Sequence, residues 1–251
     1  MDDIFPIFEL DALHDDTVVD TAMQGVNEDT DSAVVYSMQG ALYYYLHEYR
    51  NAIDEFSKAI DECILRSDTQ EQLIDLYRQR AEAYRKLEEY VYVVADYTRA
   101  LELDPNRGHF YCSRGVAYKM LEQYERALAD YTKATQVSPD LAEPYYCRGI
   151  LYSVVLKQPE KAIEDYTEAL TREATLVQAY MNRAHDYLSL KQYELSVADY
   201  SQAIQLRPGL GVAHYERGQV YKLLGKVDLA KNDYVEALKL NPSLKRLENY
   251  L

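Results

Sequence analysis

A period of 34 residues constrains the fold more than any other feature of this 251-residue chain. With Gly115 counted as position 8 of its unit, position 8 is Gly40, Ala81, Gly115, Gly149, Ala184 and Gly218. Position 11 is Tyr43, Tyr84, Tyr118, Tyr152, Tyr187 and Tyr221. Position 27 is Ala59, Ala100, Ala134, Ala169, Ala203 and Ala237, preceded three residues earlier by Phe56, Tyr97, Tyr131, Tyr166, Tyr200 and Tyr234. Pro105, Pro139, Pro208 and Pro242 close four of the units. Self-similarity at this length marks an array of supersecondary units, none of which buries its apolar face alone, so stacking has to supply the core. The units run 33–66, 74–107, 108–141, 142–176, 177–210 and 211–244. A seven-residue excess, 67–73, follows the first, and the fourth carries one extra residue near Gln158 and Pro159.

Each unit reads as two antiparallel helices. Positions 4, 7, 8 and 11 share one helical face, positions 20, 24 and 27 share a face of the next helix, and a polar turn separates them. Small residues at 8, 20 and 27 let backbones approach, and aromatics at 4, 11 and 24 fill the space beside those contacts. Twenty of the 26 tyrosines fall at positions 4, 11, 17 or 24 and so belong to the scaffold. Arg80, Arg114, Arg148, Arg183 and Arg217 recur at position 7, and Asp96, Asp130, Asp165, Asp199 and Asp233 at position 23. Both positions border the interface of the two helices, so a repeated Arg–Asp pair bracing the hairpin is expected. Desolvation offsets much of such a pair's attraction, so it specifies register more than it adds stability.

A 34-residue helical hairpin with aromatic 4, Gly or Ala 8, Tyr 11, Ala 20, aromatic 24, Ala 27 and Pro 32 resembles the tetratricopeptide repeat, and the resemblance covers residues 33–244 as six repeats. Val93 and Ser196 depart from it at position 20, Ile64 and Ala174 replace the closing Pro, and Arg stands at position 7 where the family often has Leu. The resemblance implies an all-α tetratricopeptide-repeat helical solenoid, a right-handed superhelix of helix-turn-helix hairpins. Its concave wall would be made by the first helix of each repeat and used to hold a peptide or helix of another protein.

Charge is unevenly placed. Of the 42 acidic side chains behind the formal charge of −15, ten lie in residues 1–32, where there is no Lys or Arg, leaving 32 acids against 27 bases in the remaining 219 residues. Such a body lacks the clustered basic charge that nucleic acid or an anionic membrane surface requires. The arm 1–32 mixes Ile4, Phe5, Ile7, Phe8, Leu10 and Leu13 with carboxylates, and residues 16–26 carry helical apolar spacing suited to a capping helix. Residues 245–251 are expected to cap the other end through Leu247, Tyr250 and Leu251. Asp29 and Asp31 hint at a calcium loop, but its glycine and closing glutamate are missing. Cys63, Cys112 and Cys147 have no metal-like spacing and read as reduced thiols, with no metal and no cofactor expected. No signal segment or membrane span is apparent, which gives a cytoplasmic expectation.

The sequence holds no Walker loop, GxGxxG, HExxH or GxSxG, and its five histidines stand apart from any matching carboxylate or thiol. We therefore expect no enzyme. Positions 2, 5, 6, 9 and 13 lie opposite the core face of the first helix, at about 100° per residue, and are expected to line the groove. The candidates are Met38 and Tyr45; Cys112, Val116, Met120, Tyr146, Ile150 and Val154; and Met181, His185 and Tyr215. An apolar stripe on such a face has two readings: burial against neighbouring first helices, or a partner segment with apolar anchors. The carboxylate clamp by which some family members hold chaperone tails is absent. Only Asn182 fits its slot, and Val212 and Glu216 stand where cations are needed. The first reading of function is an adaptor or scaffold that binds a protein or peptide. The alternatives are an acidic arm that occupies the groove until displaced, and a homo-oligomer formed through open solenoid ends.

Overall fold

The computed structural model describes residues 31–66 and 69–242, which form twelve α-helices arranged as a helical repeat solenoid. Residues 1–30, with the expected capping helix, and 243–251, with the expected C-terminal cap, lie outside the described residues. The chain divides into two compact units, Met1–Pro105 and Asn106–Leu251. The first contains α1 (Ser32–Tyr45), α2 (Tyr49–Arg66), α3 (Gln70–Lys86) and α4 (Tyr90–Leu103). In the second, α5 (Gly108–Met120), α6 (Tyr124–Val137), α7 (Ala142–Ile150), α8 (Pro159–Arg172), α9 (Val177–Ser189), α10 (Tyr193–Leu206), α11 (Gly211–Leu223) and α12 (Val227–Leu240) follow in order. Of the 67–73 excess, residues 70–73 are helical: Thr69 caps α3 in a capping box with Gln72, and α3 begins a turn earlier than its counterparts.

The periodic residues do what their sizes dictate. Phe56, Tyr97, Tyr131, Tyr166, Tyr200 and Tyr234 are buried, as is every alanine at position 27. The approach at position 8 is close: a Cβ built on Gly115 would stand 2.7 Å from the Tyr131 ring. Nothing larger than the methyl of Ala81 or Ala184 is used at this position. Where Ser196 replaces alanine at position 20, its buried hydroxyl donates to the Ala184 carbonyl at 2.8 Å, so the polar group is satisfied.

The turns use chemistry that composition hides. After α5, the Gln123 N–H bonds the Tyr118 carbonyl at 2.8 Å and the Glu122 N–H bonds the Lys119 carbonyl at 3.0 Å, a Schellman closure with Glu122 at φ 59°. His47, Glu88, Lys157 and Lys191 take the same left-handed conformation, and among the described residues Gly225 is the one glycine to do so. In the fourth unit the extra residue lies in the helix and not in the turn. Leu151–Val155 form a π-helical turn, with the Leu156 N–H reaching the Leu151 carbonyl at 3.0 Å. The closure there runs from Gln158 to Tyr152, one residue longer than the closure from Gln123 to Tyr118, which moves the insertion from Gln158–Pro159 back into the helix.

All five Arg–Asp pairs form as bidentate contacts, with N···O distances between 2.7 and 2.9 Å. Arg80, Arg148, Arg183 and Arg217 also reach backward to the preceding hairpin. Arg80 donates Nη1 to Ser57 at 2.9 Å, Arg148 to Thr132 and Thr135 at 3.3 Å, Arg183 to Thr167 at 2.8 Å and Arg217 to Ser201 at 2.9 Å. Each of these arginines therefore joins three helices. Arg183→Met, which strands Asp199, is expected to cost about 3 kcal/mol in urea unfolding, and adding Asp199→Leu should restore most of it. Additive losses in the double variant would show that the pair is not a unit.

Candidate functional site

In the second unit the first helices α5, α9 and α11, and α7 with the π-turn that continues it, each carry a stripe of side chains four residues apart. The stripes run Cys112, Val116, Met120; Tyr146, Ile150, Val154; Met181, His185, Ser189; and Tyr215, Gln219, Leu223. Burial is graded along them. Cys112 has no exposed surface, and Tyr146, Met181 and Tyr215 are half-buried. Val116 and Ile150 are half-buried and His185 is exposed, while Met120, Val154 and Leu223 are 50, 59 and 59% exposed. The stripe is thus packed at its start and open at its end. Burial against neighbouring helices therefore accounts for the start of the stripe and not for its exposed end.

Cys112 corrects the sequence expectation. It packs with Ala127, Tyr131, Ala134 and Leu151 in the core, so it presents nothing to a partner. Met38 and Tyr45 belong to the first unit, where both are exposed on α1, and they are described apart from the second unit's stripes.

A polar patch interrupts the apolar surface between α7, α9 and α11. Asn182 donates to the Tyr146 hydroxyl at 3.3 Å. The π-turn brings Ser153 to Asp186, whose Oδ1 accepts the Ser153 hydroxyl at 2.7 Å. Asp186 is only 3% exposed, and its Oδ2 is buried with no hydrogen-bond partner among the described residues. Burial raises the Asp186 carboxyl above the usual carboxylate range, against the opposing effects of Ser153 and His185. Glu216, half-buried on α11, is raised in the same way by burial, again opposed by His185. Burial pushes the Tyr200 hydroxyl up, and Glu216 and Asp186 raise it further. Sequence reasoning missed this patch because Asp186 stands at a position that carries no repeated residue.

The fold also assembles what cysteine spacing did not suggest. The ligand atoms of Cys112, Glu143 and Cys147 lie within 4.8 Å of one another, the one such group among the described residues. Glu143 and Cys147 stand an i, i+4 step apart on α7, facing Cys112 on α5. Among the described residues no helix is long and apolar enough to cross a membrane.

Comparison with known proteins bears on the repeats directly. Residues 177–210 and 211–244 match the profile of the tetratricopeptide repeat, residues 96–129 match a second profile of that description, and residues 120–153 match one described as TPR repeat. A stretch of 79 residues is 34% identical to serine/threonine-protein phosphatase T of Aspergillus oryzae, covering 32% of this chain and 15% of that protein. Among solved structures, the C-terminal part of a TPR repeat-containing protein from Cytophaga hutchinsonii superposes with a TM-score of 0.73 at 16% identity, covering 94% of this chain and 92% of that one. YrrB, a TPR protein with an unusual peptide-binding site, gives a TM-score of 0.61 at 22% identity over 74% of this chain and 92% of its own. These structural likenesses show the fold.

A carboxyl whose folded pKa is raised binds its proton more tightly folded than unfolded. Its charge therefore costs stability at neutral pH, and that cost vanishes as pH falls through the raised value. Asp186→Asn is expected to stabilise the protein in urea at neutral pH by about 1–2 kcal/mol, with the difference closing at about pH 4. A gap unchanged across that range would detach the effect from ionisation.

Proposed function

Because the chain belongs to the tetratricopeptide-repeat family, we propose that it is a protein-interaction adaptor without catalysis of its own, which holds a partner segment against the first-helix stripes of its second unit. The observation that carries this reading is the combination of exposed apolar ends, Met120, Val154 and Leu223, with the half-buried acid Glu216 on α11 and the buried Asp186 on α9. Exposed apolar side chains in register on successive helices suit anchors of a helix or extended peptide. Two carboxylates raised by burial favour a basic side chain brought by that segment, since a cation recovers the free energy that desolvation takes from them. A peptide-binding site in the structurally similar YrrB is consistent with this use of the fold. The phosphatase reaction is not carried over, because the matched stretch spans 15% of that protein.

The acidic arm is the poorer occupant. It brings ten carboxylates and no Lys or Arg toward a patch already short of cations. Its placement lies outside the described residues, apart from Asp31 and Ser32. The cytoplasmic expectation goes with this reading, with the three cysteines as free thiols.

Peptide-display selection on the full chain is the direct test. Enriched peptides should combine apolar residues with Lys or Arg, and should bind roughly 10-fold or more weakly to Val154→Glu or Glu216→Gln. Selected peptides without basic residues, or binding indifferent to both substitutions, would overturn the reading. Removing residues 1–15 should change affinity less than about two-fold, whereas a large gain would instead favour the arm as occupant.

A further inference from the structure

We propose that Cys112, Glu143 and Cys147 form a binding site for a divalent d10 metal ion of the zinc class, which ties α5 to α7. Two thiolates and one carboxylate are a donor set suited to such an ion, softer than a calcium or magnesium site and harder than an all-thiolate one. Zinc takes sulfur at about 2.3 Å and carboxylate oxygen at about 2.0–2.2 Å, which sets tetrahedral ligand atoms about 3.5–3.8 Å apart. The three ligand atoms already lie within 4.8 Å of one another, so closing on an ion needs rotamer adjustment and no movement of a helix. The backbone fixes the arrangement: Glu143 and Cys147 project from one face of α7, and Cys112 meets them from α5.

A second observation points to the same place. Tyr131, fully buried beneath the cluster, has a hydroxyl with no hydrogen-bond partner among the described residues. It lies in one packed cluster with Cys112, against which Cys147 also packs, so the thiols are what that ring and its hydroxyl lie among. A buried donor without an acceptor costs free energy, and a metal-bound thiolate, or a water completing the coordination, is an acceptor that would satisfy it. Binding releases the two thiol protons to solvent, and the dication with two thiolates and one carboxylate carries a net charge of −1. Cys147 is partly exposed and Glu143 exposed, which gives the ion a way in.

The test uses the full chain, reduced and stripped of metal by chelation, titrated with cobalt(II) alone. One equivalent should produce the near-ultraviolet thiolate charge-transfer band and the visible bands of tetrahedral cobalt, both removed on adding zinc. Cys147→Ser should abolish the charge-transfer band while circular dichroism shows an unchanged fold, Glu143→Gln should weaken binding roughly 10-fold or more, and Cys63→Ser should leave it intact. No band at one equivalent, or a band that survives in both Cys147→Ser and Cys112→Ala, would overturn the site.

Discussion

A guanidinium shared among three helices is the interaction on which the stack depends. Arg148, Arg183 and Arg217 each grip an aspartate across their own hairpin and a hydroxyl on the one before, and Arg80 does the same in the first unit. Apolar packing at positions 8, 24 and 27 drives the helices together, but it is non-directional and would tolerate a range of sliding. The arginine has fixed fork geometry, and its aspartate partners are buried, so a hairpin that slips leaves a carboxylate unpaired where water has little access. Attraction supplies the contact, and the threat of an orphaned charge supplies the register.

Much of this was legible in the sequence, for a physical reason. Contacts inside a hairpin recur at constant spacing, so Arg114 and Asp130, or Gly115 and Tyr131, announce themselves by repetition. The hydroxyl partners Ser57, Thr132, Thr167 and Ser201 recur at one offset too, but in the preceding unit, and two residue types share the role. The left-handed turn residues were hidden because Glu, His and Lys do the work usually taken by glycine. Cys112 was misread because the face opposite a helix's core was treated as uniform. The face is packed where α5 meets α7 and open further along, a difference set by neighbouring helices and invisible to periodicity.

The two sites proposed above gather at residues the repeat does not specify. Asp186, Glu216, Cys147 and Glu143 occupy positions without a shared residue, and each owes its environment to the fold around it. The repeat keeps its obligatory chemistry at positions 7, 8, 11, 23, 24 and 27. The other positions are left to differ from copy to copy, which is how one architecture comes to present different surfaces.

The π-turn at Leu151–Val155 breaks that equivalence within the backbone itself. An array of near-identical joints is degenerate: during folding, a hairpin meeting the wrong neighbour would still find an arginine, an aspartate and a tyrosine in suitable places. One added residue in a first helix makes that joint different, because the widened turn carries Ser153 to Asp186. The irregular turn thereby gives this junction a contact of its own, in a row of joints otherwise built alike.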